Sequence, residues 1–147
     1  MFLIGPQEVS FLIGFALSIL SGILIGAERE SRGKDAGIRT MALVISGAML
    51  FTFFSMNVDA ESKTRIAASI VTGIGFLGAG IIFHKGPSVR NLTTAATVWL
   101  GAAIGMAYGF QYYFVGVVTA ISCFLIPLLP NYERMFGKRK NNNVPHN

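Results

Sequence analysis

Glu28, Arg29 and Glu30 follow directly on an apolar run that ends at Ala27, so a carboxylate stands at the edge of a stretch otherwise fit for lipid. A charge in that position is costly unless it is wet or paired. Arg39 and Thr40 open the next apolar run, and Arg90, Thr93 and Thr94 open a later one. The spacing predicts a polar cluster of Glu28, Arg39, Arg90, Thr93 and Thr94 under one end of a bundle, with Arg39 as the partner of Glu28. Three readings stay open for it: ordinary charge that sets topology, a structural ion-pair network, or a site for an ion or a partner.

Other residues able to do chemistry are sparse. Cys123 is the single cysteine, which excludes an internal disulfide and a cysteine metal cage. It reads as a small core residue. His84 falls in a loop and His146 in the tail, and no metal-ligand spacing involves either. No serine–histidine–acid set can be assembled. Gly73, Gly75 and Gly78 spell G-x-G-x-x-G, but inside an apolar run, with Val98 and Trp99 where the acid should fall. The nucleotide reading needs a preceding strand and that acid, so it is rejected. The expectation is a protein that is not an enzyme, with no cofactor and no bound metal.

The elements that carry these residues are set by the solvent. Five apolar stretches fill most of the 147 residues, at 9–27, 38–56, 66–83, 92–108 and 113–129. Crossing a hydrocarbon core takes roughly 20 apolar residues as helix. Mean hydropathy is +0.58. Only 13% of residues are charged, against about 25% in soluble domains. Backbone polar groups inside lipid must be satisfied within their own helix. The fold class is therefore all-α, a polytopic transmembrane bundle of about five spans over residues 1–130. Residues 131–147 form a basic tail, expected to be disordered and drawn to anionic lipid. Three adjacent basic residues in it do not make a nucleic-acid site. The first run lacks a basic leader and a small-residue cleavage site, so it reads as a retained span.

Charge sets the expected orientation. Arg29, Arg32, Lys34, Arg39, Lys85, Arg90, Arg134, Lys138, Arg139 and Lys140 share one face in a five-span arrangement, leaving only Lys63 and Arg65 on the other. Ten against two places the basic face in the cytoplasm, with the N-terminus outside. Residues 109–112 are too few for anything but a tight antiparallel turn. Tyr108, Tyr112 and Tyr113 cluster there as anchors at the water boundary, and Tyr132 marks the opposite one. Asp59 or Ser62 is expected to cap the third span, and Asn91 the fourth.

Seventeen glycines need a reason. Gly14, Ser18, Gly22 and Gly26 step by four along the first span. Thr93, Thr97, Gly101, Gly105 and Gly109 do so along the fourth. Small residues on such tracks let two helix backbones approach closely, whether from another span or another protomer. The third span carries Gly73, Gly75, Gly78 and Gly80. These predict either close packing or a locally unwound segment, the latter being the form in which transporters bind ions.

At these residues the chain resembles the membrane domain of the bacterial MgtC/SapB family. The resemblance rests on Gly26-Ala27-Glu28-Arg29-Glu30, Ala36-Gly37-Ile38-Arg39-Thr40, Arg65-Ile66-Ala67-Ala68, the segment from Gly73 to Ile82, and Val89-Arg90-Asn91-Leu92-Thr93-Thr94-Ala95-Ala96-Thr97-Val98-Trp99. It implies a multi-pass protein of the bacterial cytoplasmic (inner) membrane. Relatives are linked to growth under magnesium limitation, acid stress and survival inside host cells, and to inhibitory contact with the membrane part of ATP synthase. Virulence-type members tend to carry asparagine where Thr93 stands here, and a soluble C-terminal domain. The leading expectation is a regulator acting by helix contact with another membrane complex, self-associating, with Thr97, Gly101 and Gly105 as its packing face. The alternative is a transporter of an ion, magnesium or proton, or of a small solute, with its site at an unwound third span.

Overall fold

The computed structural model describes residues 5–58, 64–85 and 88–129. Five helices lie in chain order: α1 (Pro6–Ser31), α2 (Ile38–Val58), α3 (Arg65–Ile81), α4 (Leu92–Gly109) and α5 (Tyr113–Leu125). α1, α2 and α4 are long and apolar enough to cross a membrane. α3, at 17 residues, and α5, at 13, are shorter apolar helices. The expected Asp59 or Ser62 cap, Tyr132 and the basic tail lie outside the described residues.

Local chemistry fixes the helix ends. Gly5 sits extended before Pro6, whose ring is preorganised for a first helical turn. Glu8 follows in that turn, where the helix dipole favours an acid. At the other end of α1, Gly33 adopts a φ of 63°. Its N–H donates to the Glu30 carbonyl, and the Lys34 N–H to the Arg29 carbonyl, the paired closure of a left-handed helix stop. The loop expected after the third span contains a two-stranded antiparallel hairpin, Phe83–Lys85 with Ser88–Arg90, in which Phe83 faces Arg90. The α4–α5 connection is the tight turn expected, with Gln111 at a φ of 65°.

α4 is the centre of the bundle and packs on each of the other four helices. α2 lies in the angle between α1 and α4 and makes its main contacts with both. Its inner face, Met41, Ile45, Ala48, Met49, Thr52 and Ser55, repeats at helical spacing and is buried. Buried hydroxyls avoid a desolvation cost by bonding within their own helix: Ser18 donates to the Gly14 carbonyl at 2.7 Å and Thr52 to that of Ala48 at 2.8 Å. α3 is peripheral. It rests chiefly on α4, and its buried side is the narrow seam Ala67, Ile74 and Gly78. The outer surface is apolar, with Leu43 73%, Phe76 81% and Phe114 81% exposed, as lipid rather than water requires.

Candidate functional site

Two places on the molecule hold features that packing alone does not explain. One is the end of α1. Gly14, Ser18, Gly22, Ile25 and Arg29 form one buried stripe of that helix, so the stripe that meets α2 and α4 ends in a guanidinium. Arg29 is 1% exposed and donates from Nη2 to Thr94 Oγ1 in the first turn of α4. Its Nε has no hydrogen-bond partner. Glu28 is also buried, and Arg32 Nε stands 2.8 Å from its Oε1. That contact is Coulombic, because neither carboxylate oxygen accepts a hydrogen bond. Arg32 also donates to the Pro127 carbonyl beyond α5 at 2.9 Å. The three residues thus join α1 to α4 and to the end of α5.

This knot differs from the expected cluster. Glu28 and Thr94 are brought together, but through Arg29 and Arg32. Arg39, Arg90 and Thr93 are exposed, and Arg39 does not pair with Glu28. The reason is helical phase. Arg32, the cap residue just past α1, lies one turn beyond Glu28 and within direct reach, whereas Arg39 is the second residue of α2 and is exposed. Arg29 was missed although the signal was present: it falls seven residues after Gly22, on the same face as the small-residue track. Asn91 is at the helix start as expected, but it is left-handed and its side chain does not cap. Its amide instead donates to Asp35 and to the Ile81 carbonyl. Tyr108, expected at the water boundary, is 1% exposed. Its hydroxyl shares a 2.9 Å hydrogen bond with Ser21, and its ring fills the space beside Gly116. Tyr112 is exposed at the turn, and Tyr113 donates to the Ser10 carbonyl at 3.0 Å.

The second place is α3. The glycines of both period-four tracks are closed over inside the chain. A Cβ on Gly22 would strike the Ala42 backbone, and one on Gly26 that of Ile38. A Cβ on Gly101 would come 2.8 Å from Met41 Cε, and one on Gly105 would strike the Ile45 carbonyl. Thr97 is buried and donates to the Thr93 carbonyl at 2.8 Å. At Gly101 and Gly105, expected as part of a face for a partner, the space is occupied by α2. The glycines of α3 behave in the opposite way. Nothing lies within 4 Å of a Cβ built on Gly73, Gly75 or Gly80, and Gly78 meets only Ala95, at 3.8 Å. α3 is nonetheless an unbroken helix from Arg65 to Ile81, so its glycines do not unwind it. One flank of α3, beside the seam, carries Ala68, Thr72, Gly75 and Ala79, all small and all exposed.

Among the described residues no group of three His, Cys, Asp or Glu side chains converges as metal ligands would. Cys123 is buried and free. The buried Cys123 thiol lies within electrostatic reach of Arg29 and Glu28. The knot is built to hold helices in register.

The model of the MgtC family matches residues 15–134. The protein MgtC of Salmonella typhimurium (strain 14028s) is 42% identical over 135 residues, covering 92% of this chain and 57% of that protein. The protein MgtC of Brucella abortus (strain 2308) is 55% identical over 93 residues, covering 63% of this chain and 39% of that protein. This chain thus spans little more than half the length of such relatives. No solved structure matches.

Proposed function

Because the chain belongs to the MgtC family, we propose that it is a membrane regulator without enzymatic activity, acting by helix contact with another membrane complex. The proposal places that contact on α3. The observation that carries it is the exposed small-residue face Ala68, Thr72, Gly75 and Ala79, on a helix anchored by one seam. In lipid, where no hydrophobic force drives helices together, small residues earn close backbone approach and the dispersion that comes with it. The small-residue tracks of α1 and α4 are closed by α2, whereas the face of α3 remains open. The complex in question is the membrane part of a proton-driven ATP synthase or a similar assembly, and the setting is growth under magnesium limitation or related stress.

The proposed location is the bacterial cytoplasmic membrane, with the basic end of the bundle inside. The support is the ten-to-two division of lysine and arginine. Thiol labelling in intact cells should leave a cysteine at position 34 unreactive to an impermeant reagent, and reaction there without lysis would reverse the orientation.

The contact is tested by a photoreactive residue at position 75, with one at position 112 as the exposed comparison on another element. Irradiation of native membranes should give one discrete cross-linked membrane protein from position 75 and none of the same size from 112. A second copy of this chain caught alone would make α3 a self-association face and count against regulation of another complex. Lipid adducts alone would sink the proposal.

A further inference from the structure

A cleft of about 510 Å³ runs between α2 and α3, with Ala102 of α4 in its floor. Leu43, Gly47 and Phe51 line one wall, and Ile66, Gly73 and Leu77 the other. It lies on a different side of α3 from Gly75 and Ala79, so it is separate from the face proposed for partner contact. Two glycines keep it open: a Cβ on Gly47 or Gly73 would meet nothing within 4 Å.

The cleft has a polar mouth. Arg39, Leu43, Gly47 and Phe51 step by four along α2, so the stripe that forms the wall begins in a guanidinium. A long helical side chain leans toward the start of its helix, which carries Arg39 outward toward the membrane surface. Arg39 is exposed and makes no hydrogen bond or ion pair among the described residues. At the far end of α3 the hairpin brings Arg90, also exposed, to the same end of the bundle.

We infer that this cleft binds one acyl chain of an anionic phospholipid, whose phosphate is held by Arg39. Size decides against a helix as occupant. The wall from Ile66 to Leu77 is about 16 Å long at 1.5 Å per residue. All the open space between the walls, about 990 Å³, then has a mean cross-section of roughly 60 Å². A helix with its side chains, about 10–12 Å across, needs on the order of 80–100 Å². A single polymethylene chain fits. Charge decides the headgroup: an unpaired guanidinium at headgroup level favours a net negative lipid over a zwitterionic one.

The test uses the whole chain, reconstituted in bilayers of equal phosphatidylglycerol and phosphatidylcholine, extracted in mild detergent and weighed with its bound lipid by native mass spectrometry. Wild type should retain one phosphatidylglycerol at about fivefold excess over phosphatidylcholine, the factor that about 1 kcal/mol per basic residue gives. Arg39→Gln should retain lipid but lose that preference. Gly47→Leu puts a side chain into the cleft, its Cβ meeting nothing within 4 Å, and should lose the retained lipid altogether. Circular dichroism should match wild type for both variants, since neither position touches a packed neighbour. Equal retention of the two lipids by wild type, or unchanged retention by Gly47→Leu, would overturn the inference. So would a disulfide-linked second copy formed through a cysteine placed at position 47, which would make the cleft an interface between protomers.

Discussion

Arg29 is the side chain on which the end of α1 depends. It is fully enclosed and gives one hydrogen bond to Thr94, while Arg32 beside it stands 2.8 Å from the buried carboxylate of Glu28. Removing one partner of a buried ionic group leaves an uncompensated charge, at a cost of about 3–5 kcal/mol. Arg32→Met, which leaves the buried Glu28 carboxylate without its partner, should therefore lower the stability of the detergent-solubilised protein by that amount in denaturant unfolding. Arg39→Gln, at an exposed position, should change it by no more than about 0.5 kcal/mol. Equal losses from the two would show that the knot is not where the ionic stability resides. The sequence placed the right kinds of residue at this end of the bundle but paired them wrongly. Composition says that a carboxylate at the lipid edge needs a partner, and Glu28 has one. Which of several nearby cations supplies it depends on helical phase and on how α1 rotates against α4, and only the packed structure fixes that rotation.

At the scale of the helices, the same residue type does opposite things. Gly105 is closed over by the Ile45 carbonyl and by Ala48 Cβ, 2.9 Å from an added methyl, whereas Gly75 faces open space. Gly105→Ala should force α2 and α4 apart and cost about 1–3 kcal/mol by overpacking. Gly75→Ala should be neutral or should stabilise by up to about 1 kcal/mol, from helix propensity alone. Parallel unfolding curves in one detergent check both, and a neutral Gly105→Ala would remove the account of how α4 is packed. The period-four tracks on α1 and α4 were legible in the sequence because close backbone approach demands small residues at that spacing. That α2 fills both was not legible, since α2 itself carries bulky residues, Met41, Ile45 and Met49, and gives no sign of its partners. The clustered glycines of α3 pointed first to close packing and second to unwinding. Its continuous helix settles the geometry, since a helix inside lipid keeps every backbone hydrogen bond in its own ladder.

Across the whole molecule, four helices form a packed body around α4 and the α1 knot, while α3 stands at its edge with an open small-residue face. The five-helix bundle could be read directly from hydropathy, because lipid imposes one solution on a chain this apolar. The short hairpin before α4 could not, since three-residue strands carry no periodicity to detect. If the chain acts by contact through α3, bulk on that face must abolish function while leaving the fold intact. The direct measurement is magnesium-limited growth of a bacterial strain that lacks its own family member, complemented by this chain. Wild type and Val118→Leu, which adds bulk to a lipid-facing position on α5, should restore growth. Gly75→Leu, folded and present at the same level in the membrane, should not. Full complementation by Gly75→Leu would contradict the account.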